Sequence, residues 1–322
     1  MFLRRLQLLF PALLVVAAHP ALSAQAVEEI RYGDFEQWVT RHIHESAIIG
    51  GADRTLYEIG PTATVDGNIP YKAKGNSPWA TSNVMAKVCG ITKCSNAVYP
   101  DQRGTGKCCK LTSRIEHCKA IGIINIDVMV AGTIFLGHMI EPIKSTSNPY
   151  SKMEMGVPFT KRPKEVVYDY RLLIPAGAQR IYSSGFGSQK TLNGSDKAEV
   201  IIMLQRRWED ADGKLYAKRV ASGRELLSKS TSGWVNGHKL PVHYGDISHQ
   251  PFFSRALELR TGDRRYYARN SKGKMVPVEE VGWDSPQATP THIILMFSAG
   301  SGEPYTGTPG QTLWVDNVAL AY

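Results

Sequence analysis

The sequence predicts an all-β protein built as a β-sandwich. Long amphipathic helical patterns are nearly absent, whereas short runs rich in β-branched and aromatic residues recur between Gly, Asn, Asp and Pro. Several runs alternate apolar and polar residues, which is the pattern of a strand with one buried face. With 43% hydrophobic and 21% charged residues, the 322-residue chain has a globular composition, which argues against a mainly disordered, collagenous or coiled-coil protein.

The first 26 residues predict a secretory signal peptide. A basic start at Arg4 and Arg5 precedes a short apolar stretch, and small residues before Val27 offer a cleavage site. A membrane anchor is the alternative, but two prolines interrupt the stretch and it is shorter than the roughly 20 residues of a membrane span. We therefore expect an exported protein that is periplasmic, exposed at the cell surface or secreted, with no membrane span.

The rest of the chain, 27–322, is predicted to form one β-sandwich domain. No internal repeat or low-complexity linker divides it, and Asp212-Gly213 and Lys272-Gly273 are typical hairpin turns. The candidate strands, in chain order, are 120–130, 132–140, 165–174, 198–208, 215–221, 256–261, 265–269, 292–298 and 312–320.

A cysteine-rich segment, about 85–119, is predicted to be a loop insertion. It carries all five cysteines of the chain: Cys89, Cys94, Cys108, Cys109 and Cys118. Disulfides are the first expectation for an exported protein, and the odd number leaves at least one cysteine free or paired between chains. A zinc site is disfavoured because the spacings do not form paired C-x-x-C knuckles.

The net charge of +9 does not indicate nucleic-acid binding. The basic residues are scattered along the chain beside acidic residues and turns, whereas a nucleic-acid surface needs a concentrated basic stripe or a known motif. A loose attraction to an acidic polysaccharide or an anionic surface is compatible with this charge.

Three alternating strands predict a polar sheet face. The first strand would bury Ile124, Ile126, Val128 and Val130 opposite Asn125 and Asp127. The second would bury Val166, Tyr168, Tyr170 and Leu172 opposite Glu165, Asp169 and Arg171. The third would bury Val200, Ile202 and Leu204 opposite Glu199, Met203 and Gln205. If the three strands share one sheet, Asn125, Asp127, Asp169 and Arg171 could hydrogen-bond sugar hydroxyls from a concave surface. A plain solvated face is the alternative.

Aromatic and acidic residues add further candidates. Trp79 and Trp234 lie in loop-like segments where an indole could stack on a sugar ring, although core packing is the commoner role of tryptophan, and Trp314 is predicted to be in the core. The strand-borne acids Asp127, Glu165, Asp169 and Glu199 could supply the carboxylate pair of a glycoside hydrolase, which needs a separation of roughly 5–10 Å. Surface ion pairing is the alternative role of each acid. Motifs for a serine or cysteine nucleophile, a zinc protease or a phosphate-binding loop are absent.

The two ends of the mature chain resemble the galactose-binding-like jelly rolls of many carbohydrate-binding modules. Residues 33–38, Gly-Asp-Phe-Glu-Gln-Trp, and residues 313–320, Leu-Trp-Val-Asp-Asn-Val-Ala-Leu, carry this resemblance. It implies a jelly-roll fold and makes Glu36 and Asp316 candidate ligands of a structural calcium ion. Calcium takes six to eight oxygen ligands, so backbone carbonyls would have to complete the site. No other cofactor is expected.

Residues 75–322 resemble the putative carbohydrate metabolism domain family of secreted Bacteroidetes proteins. Four segments carry the resemblance: 77–83 (Ser-Pro-Trp-Ala-Thr-Ser-Asn), 131–137 (Ala-Gly-Thr-Ile-Phe-Leu-Gly), 156–163 with Asp169-Tyr170, and 297–307 followed by Val315-Asp316-Asn317-Val318. The cysteine cluster departs from the family pattern. The resemblance implies a jelly roll with a role around glycans, but it does not assign an activity.

Three functions agree with these observations. The first is a carbohydrate-binding protein of a bacterial glycan-utilisation or cell-surface system, which binds sugar on the concave sheet face with loop aromatics. The second is a glycoside hydrolase that uses a carboxylate pair. The third is a surface or adhesion subunit without a small ligand, whose partners would be other cell-surface proteins.

Overall fold

The computed structural model describes residues 26–120, 124–145, 147–177, 179–185, 187–301 and 304–322. The predicted signal peptide therefore lies outside the described residues, apart from Ala26. Within these ranges, no helix is long and apolar enough to cross a membrane.

Strands and short turns make up the described chain, which confirms the all-β prediction. The strands of the first half are β1 (Val27–Glu29), β2 (Trp38–His44), β3 (Asp53–Ile59), β4 (Ala63–Asp66), β5 (Trp79–Thr81), β6 (Val84–Val88), β7 (Ile91–Ser95), β8 (Val98–Arg103), β9 (Gly106–Ala120), β10 (Ile124–Ala131), β11 (Thr133–Met139), β12 (Met153–Met155) and β13 (Val157–Pro158).

The second half continues in the same way. Its strands are β14 (Glu165–Leu173), β15 (Arg180–Tyr182), β16 (Lys190–Leu192), β17 (Ala198–Glu209), β18 (Leu215–Leu227), β19 (Val235–Pro241), β20 (His243–Tyr244), β21 (Tyr267–Arg269), β22 (Met275–Trp283), β23 (His292–Ser298), β24 (Thr306–Gly307) and β25 (Thr312–Ala321). The helical elements of the described residues are short 3₁₀ turns at Ala47–Ile49, Pro149–Lys152, Arg255–Leu257 and Gly262–Arg264.

A seven-stranded sheet, called here the open sheet, has the strand order β10-β9-β25-β14-β19, with β1 paired to β25 and β8 paired to β9. A ten-stranded sheet contains β13-β23-β17-β18-β22-β21-β12-β11-β5, and β20 adds to β18. In this larger sheet β11 also pairs with β23, so the strands from β23 round to β11 close into a ring. We call this ring the closed sheet.

The two sheets pack against each other over one hydrophobic core. Tyr168 of the open sheet meets Phe297 of the closed sheet edge-on, with ring centroids 5.1 Å apart. Val166 and Leu172 of β14 pack into the same cluster as Val200, Ile202 and Leu204 of β17. The jelly-roll expectation is therefore too simple: two sheets do face each other as in a sandwich, but one of them also closes on itself.

Sheet closure explains why the predicted alternation holds on one strand and fails on another. On β14 the apolar residues Val166, Tyr168 and Leu172 face the shared core, as predicted. On β17 both faces are buried, because Ile201 and Met203 point into a second cluster within the closed sheet. The predicted hydrophilic side of β17 is thus largely apolar and covered.

Strand β10 also departs from its predicted pattern. Its buried side chain is Met129, whereas Ile126, Val128 and Val130 are only half-buried. The strand lies at the edge of the open sheet, where β9 is its neighbour in the strand order and a short bridge from Val128 to Ser184 adds one further contact. Its predicted apolar face is therefore only partly covered.

The cysteine-rich segment is sheet rather than loop, and the disulfide prediction is wrong: all five cysteines are free. Cys108 and Cys109 are neighbours on β9, so their side chains point to opposite faces. Cys118 lies on the same strand, roughly 33 Å from Cys108 when the chain is extended. Disulfide-bonded Cα atoms lie within about 7 Å of each other. The long strand therefore keeps these thiols apart.

Candidate functional site

A cleft opens at one end of the closed sheet, beyond the apolar side chains that pack inside it. Its volume is about 560 Å³, within the range of small-molecule sites. Met155 and Met296 line it beside the charged residues Glu199 and Arg224.

Strand alternation places a charged pair in this cleft. Glu199 shares the face of β17 that carries Ile201 and Met203, so its carboxylate points to the same side at the end of the strand. Arg224 of the neighbouring β18 donates to it, with Nε 2.5 Å from the Glu199 Oε1. Glu199 is the only carboxylate among the described residues that line the cleft.

Hydroxyl and aromatic groups complete the wall. Thr133 Oγ1 and Ser298 Oγ are 2.9 Å apart, and Tyr150 meets Tyr266 edge-on with ring centroids 5.9 Å apart. Burial raises the pKa of Tyr305 to about 12, so its hydroxyl keeps its proton at neutral pH. The cleft thus combines aromatic surface with hydrogen-bonding groups and fixed charges, which is what a polar ring-shaped ligand requires.

Three of the six predicted ligand-binding residues, Asp169, Arg171 and Trp234, lie elsewhere, on the face of the open sheet that points away from the shared core. We call this surface the outer patch; it comprises Arg103, Asp169, Arg171, Trp234 and Trp314. The Arg103 guanidinium lies 4.0 Å from the centre of the Trp234 ring, and that of Arg171 lies 4.9 Å from the centre of the Trp314 ring. Cations therefore cover part of the ring surface that sugar stacking would need.

The outer patch also holds two carboxylates on one arginine. Arg103 Nη2 is 2.8 Å from Asp169 Oδ2, and its Nη1 is 2.6 Å from Asp316 Oδ2. Burial would raise the pKa of Asp169, but Asn317, the Gly237 amide and Arg103 outweigh it and lower the pKa. For Asp316, burial prevails and the pKa is raised. The two carboxyl groups are thus close together and differ in proton affinity.

The other predicted residues do not join either location. Asn125 and Asp127 lie on β10, which β9 and β25 separate from β14 by roughly 14 Å. Asp127 is paired with His117 at 2.7 Å, and Glu165 with Lys239 at 2.8 Å. The four candidate catalytic acids therefore do not converge, because Glu199 belongs to the closed sheet and the other three to the open sheet.

Two tryptophans have the opposite environment to the one predicted. Trp79, expected in a ligand-binding loop, lies on β5 with 2% of its surface exposed and packs on Phe35 and Phe297. It cannot contact a sugar without unfolding its surroundings. Trp314, expected in the core, is half-buried on the outer patch and donates from Nε1 to Asp101 at 2.8 Å.

The predicted calcium ligands, Glu36 and Asp316, each have another partner in the structure. Glu36 accepts a hydrogen bond from the backbone amide of Lys107 at 3.0 Å, and the Asp316 carboxylate is neutralised by Arg103. The part of the chain that the structure describes holds no group of three or more His, Cys, Asp or Glu side chains suited to a metal ion. The guanidinium of Arg103 thus lies beside Asp316, where the prediction had placed a calcium ion.

Sequence reasoning missed the arginines of the cleft, because they looked like scattered surface charges. One signal could have led to them: two of the segments that carry the family resemblance meet at this cleft. Ala131 and Thr133 come from the first segment, and Ser298, Gly300 and Ser301 come from the second.

Comparison with known proteins gives one family and several distant structures. The family model described as "Putative carbohydrate metabolism domain" matches residues 57–321. No curated protein matches the chain significantly. A crystal structure of a putative glycoside hydrolase from Bacteroides thetaiotaomicron is similar at 17% identity and a TM-score of 0.45, over 85% of this chain and 76% of that one.

Two further structures show weaker likeness. A putative glycoside hydrolase from Bacteroides vulgatus has 15% identity and a TM-score of 0.42, over 92% of this chain and 96% of that one. A carbohydrate-binding module specific for non-crystalline cellulose, CBM28, has 9% identity and a TM-score of 0.27, over 76% and 87%. At these levels no functional residue can be carried over.

Proposed function

Because the chain belongs to the putative carbohydrate metabolism domain family, we propose that it binds a saccharide in the cleft of the closed sheet. The observation that carries this proposal is the cleft itself, about 560 Å³ in volume, with aromatic, hydroxyl and charged groups among its lining residues. Binding is favoured over hydrolysis because Glu199 has no second carboxylate beside it among the described lining residues, and Arg224 holds it as an ion pair.

A glycan array followed by titration calorimetry on the bound glycans tests the proposal. We expect Tyr150→Ala to weaken binding about tenfold, since a stacked aromatic contributes roughly 1 kcal/mol beyond its buried area. Tyr216→Ala is the matched control, because Tyr216 stacks on Trp208 outside the cleft with centroids 5.9 Å apart. Failure of the folded protein to bind any glycan would contradict the proposal.

The outer patch is the competing location for the same function. Trp234→Ala removes the ring beneath Arg103 without touching the cleft. If Trp234→Ala abolishes binding and Tyr150→Ala does not, the saccharide site lies on the outer patch.

A glycoside hydrolase is the second candidate, and one observation favours it. Asp169 and Asp316 share Arg103 and have pKa values shifted in opposite directions, as acid–base pairs often do. Release of reducing sugar from plant, host or microbial glycans, lost in both Asp169→Asn and Asp316→Asn with folding intact, would establish it. Arg103 neutralises both groups, however, and so favours a structural role.

The apolar N-terminus supports the further proposal that the protein acts outside the cytoplasm, where glycans and other cell-surface proteins are its partners. Fractionation of the source cells tests this location. An adhesion subunit without a small ligand would instead give crosslinked complexes and no glycan binding.

A further inference from the structure

The cleft of the closed sheet is strongly basic. Five arginines line it, whereas Glu199 is the only acidic residue among its described lining residues. The arginines are Arg180, Arg224, Arg255, Arg260 and Arg264. Arginine side chains stay protonated at any physiological pH, so the cleft carries a lasting excess of positive charge.

Three of these arginines have carboxylate partners and two do not. Arg224 pairs with Glu199 at 2.5 Å, Arg264 with Glu258 at 2.7 Å, and Arg180 lies 3.7 Å from Asp196. Arg255 and Arg260 form no ion pair with any carboxylate of the described residues. The uncompensated charge of the cleft is therefore located on these two side chains.

Arg260 is the more telling of the two, because it is 9% exposed. Its guanidinium lies 4.6 Å from the centre of the Tyr266 ring and donates from Nη2 to the Ala256 carbonyl at 3.3 Å. Its Nε has no hydrogen-bond acceptor within the described parts of the chain. The nearby Glu280 is already paired with Arg219. Burial opposes the charge of Arg260, but nearby groups that include Glu280 and Glu199 outweigh it and raise the pKa of Arg260. The buried Nε donor has no acceptor, so it can donate to an anionic ligand.

We propose that the cleft takes an anionic saccharide and that Arg255 and Arg260 bind the carboxylate of a uronate residue. A guanidinium presents parallel N–H donors that match the two oxygens of a carboxylate. Tyr150 and the cleft hydroxyls contact the sugar ring that bears it. This inference rests on the proposed saccharide binding and adds the chemical class of the ligand.

Matched pairs of probes test the inference by titration calorimetry. Tetragalacturonate is compared with its fully methyl-esterified form, and a mannuronate tetramer with a mannose tetramer. We expect at least one uronate to bind about tenfold more tightly than its neutral counterpart, since charge-assisted hydrogen bonds are roughly twice as strong as neutral ones. If neither uronate binds better than its counterpart, the inference is overturned, whereas binding of the neutral probes or of other glycans would leave the proposed function intact.

Variants assign the effect to the two arginines. Arg255 is exposed, so Arg255→Ala should fold normally and weaken uronate binding about tenfold, with a much smaller loss for a neutral sugar. Arg260→Lys keeps the charge but loses the fork, and should weaken uronate binding with a thermal midpoint close to that of the unsubstituted protein. Arg206→Ala is the control, because Arg206 pairs with Asp284 away from the cleft. Equal losses for charged and neutral probes, or no loss in Arg255→Ala, would refute the assignment.

Discussion

Arg219 and Glu280 form an ion pair whose two side chains are completely buried. Arg219 donates from Nε to Glu280 Oε1 at 2.6 Å, and the backbone amide of Arg260 donates to Oε2 at 2.6 Å. Burial alone would raise the pKa of Glu280, but Arg219 outweighs it and the pKa is lowered. The carboxylate is thus held ionised and ties β22 to β18 and to the segment that carries Arg260.

Replacing one partner should therefore be costly. We expect Glu280→Gln to lower the free energy of unfolding by about 3 kcal/mol, because Arg219 would remain as a buried charge without a counter-ion. Urea denaturation at pH 7 measures this change. Arg206→Ala, which breaks the exposed pair with Asp284, is the control and should cost less than about 1 kcal/mol. Equal effects of the two substitutions would contradict the expectation.

Residue identities alone could indicate which acids were available but not which were free. Asp127, Glu165, Asp169 and Glu199 each have a basic side chain as a partner in the structure: His117, Lys239, Arg103 and Arg224. Arg103 and Asp316 are separated by more than two hundred positions, and no local pattern reports such a distant pairing.

At the scale of single elements, the sequence predicted strands well where one face meets water. On β14 the outward Arg171 is exposed and the inward Leu172 is buried, as the alternation requires. On β17 the same reasoning failed, because Met203 is covered by the interior of the closed sheet rather than by solvent. Alternation identifies two faces, but it cannot tell a wet face from one that a second layer covers.

One glycine connects the two sheets. Gly132 stands between β10, the edge of the open sheet, and β11, which belongs to the closed sheet. A Cβ atom at this position would lie 2.5 Å from the Thr112 amide nitrogen and 2.9 Å from the Leu111 Cα. These neighbours are backbone atoms of β9, so they cannot give way as a flexible side chain would.

Gly132→Ala should therefore destabilise the protein by about 1–3 kcal/mol, the usual cost of forcing extra volume into a packed region. Thermal unfolding followed by circular dichroism measures the loss. Gly233→Ala is the matched control, because nothing lies within 4 Å of its Cβ position. If Gly132→Ala and Gly233→Ala had the same thermal midpoint, the backbone around Gly132 would have room for a Cβ atom, and the expectation would be wrong.

At the scale of the whole molecule, the all-β class was predictable, but the closure of one sheet was not. Closure depends on β11 pairing with β23, with Thr133 opposite Ser298. Periodicity within each strand carries no information about which distant strand will be its neighbour. The cleft is a product of this closure, so its arginines could not be grouped from sequence.

Acid stability of the molecule should depend on His292. Burial and the nearby Arg207 lower the pKa of His292 to about 4, whereas the unfolded chain takes up this proton near pH 6.5. The native state is therefore stabilised above pH 6.5, and this contribution is lost as the pH falls towards 4. It amounts to roughly 3 kcal/mol between the two limits, because each pKa unit corresponds to about 1.4 kcal/mol.

Denaturation curves at pH 7, 5.5 and 4 for the natural chain and for His292→Gln isolate this contribution. The quantity to compare is the difference in the free energy of unfolding between the two proteins at each pH. Burial raises the pKa of Glu58 to about 8, so the contribution of Glu58 to stability increases as the pH falls. Both proteins contain Glu58, so its contribution cancels in the difference. We expect the stability of His292→Gln to fall less between pH 6.5 and 4. Parallel curves would mean that His292 titrates alike in the folded and unfolded chain.

The separated thiols have a practical consequence for labelling. Cys89 is exposed in the turn that joins β6 and β7. Burial raises the pKa values of Cys94 and Cys108 to about 12. It also raises the pKa values of Cys109 and Cys118. Alkylating reagents attack the thiolate, so a maleimide fluorophore supplied in limiting amount at neutral pH attaches at Cys89 first. The natural chain thus provides its own attachment point for fluorescence anisotropy or immobilisation on a biosensor chip.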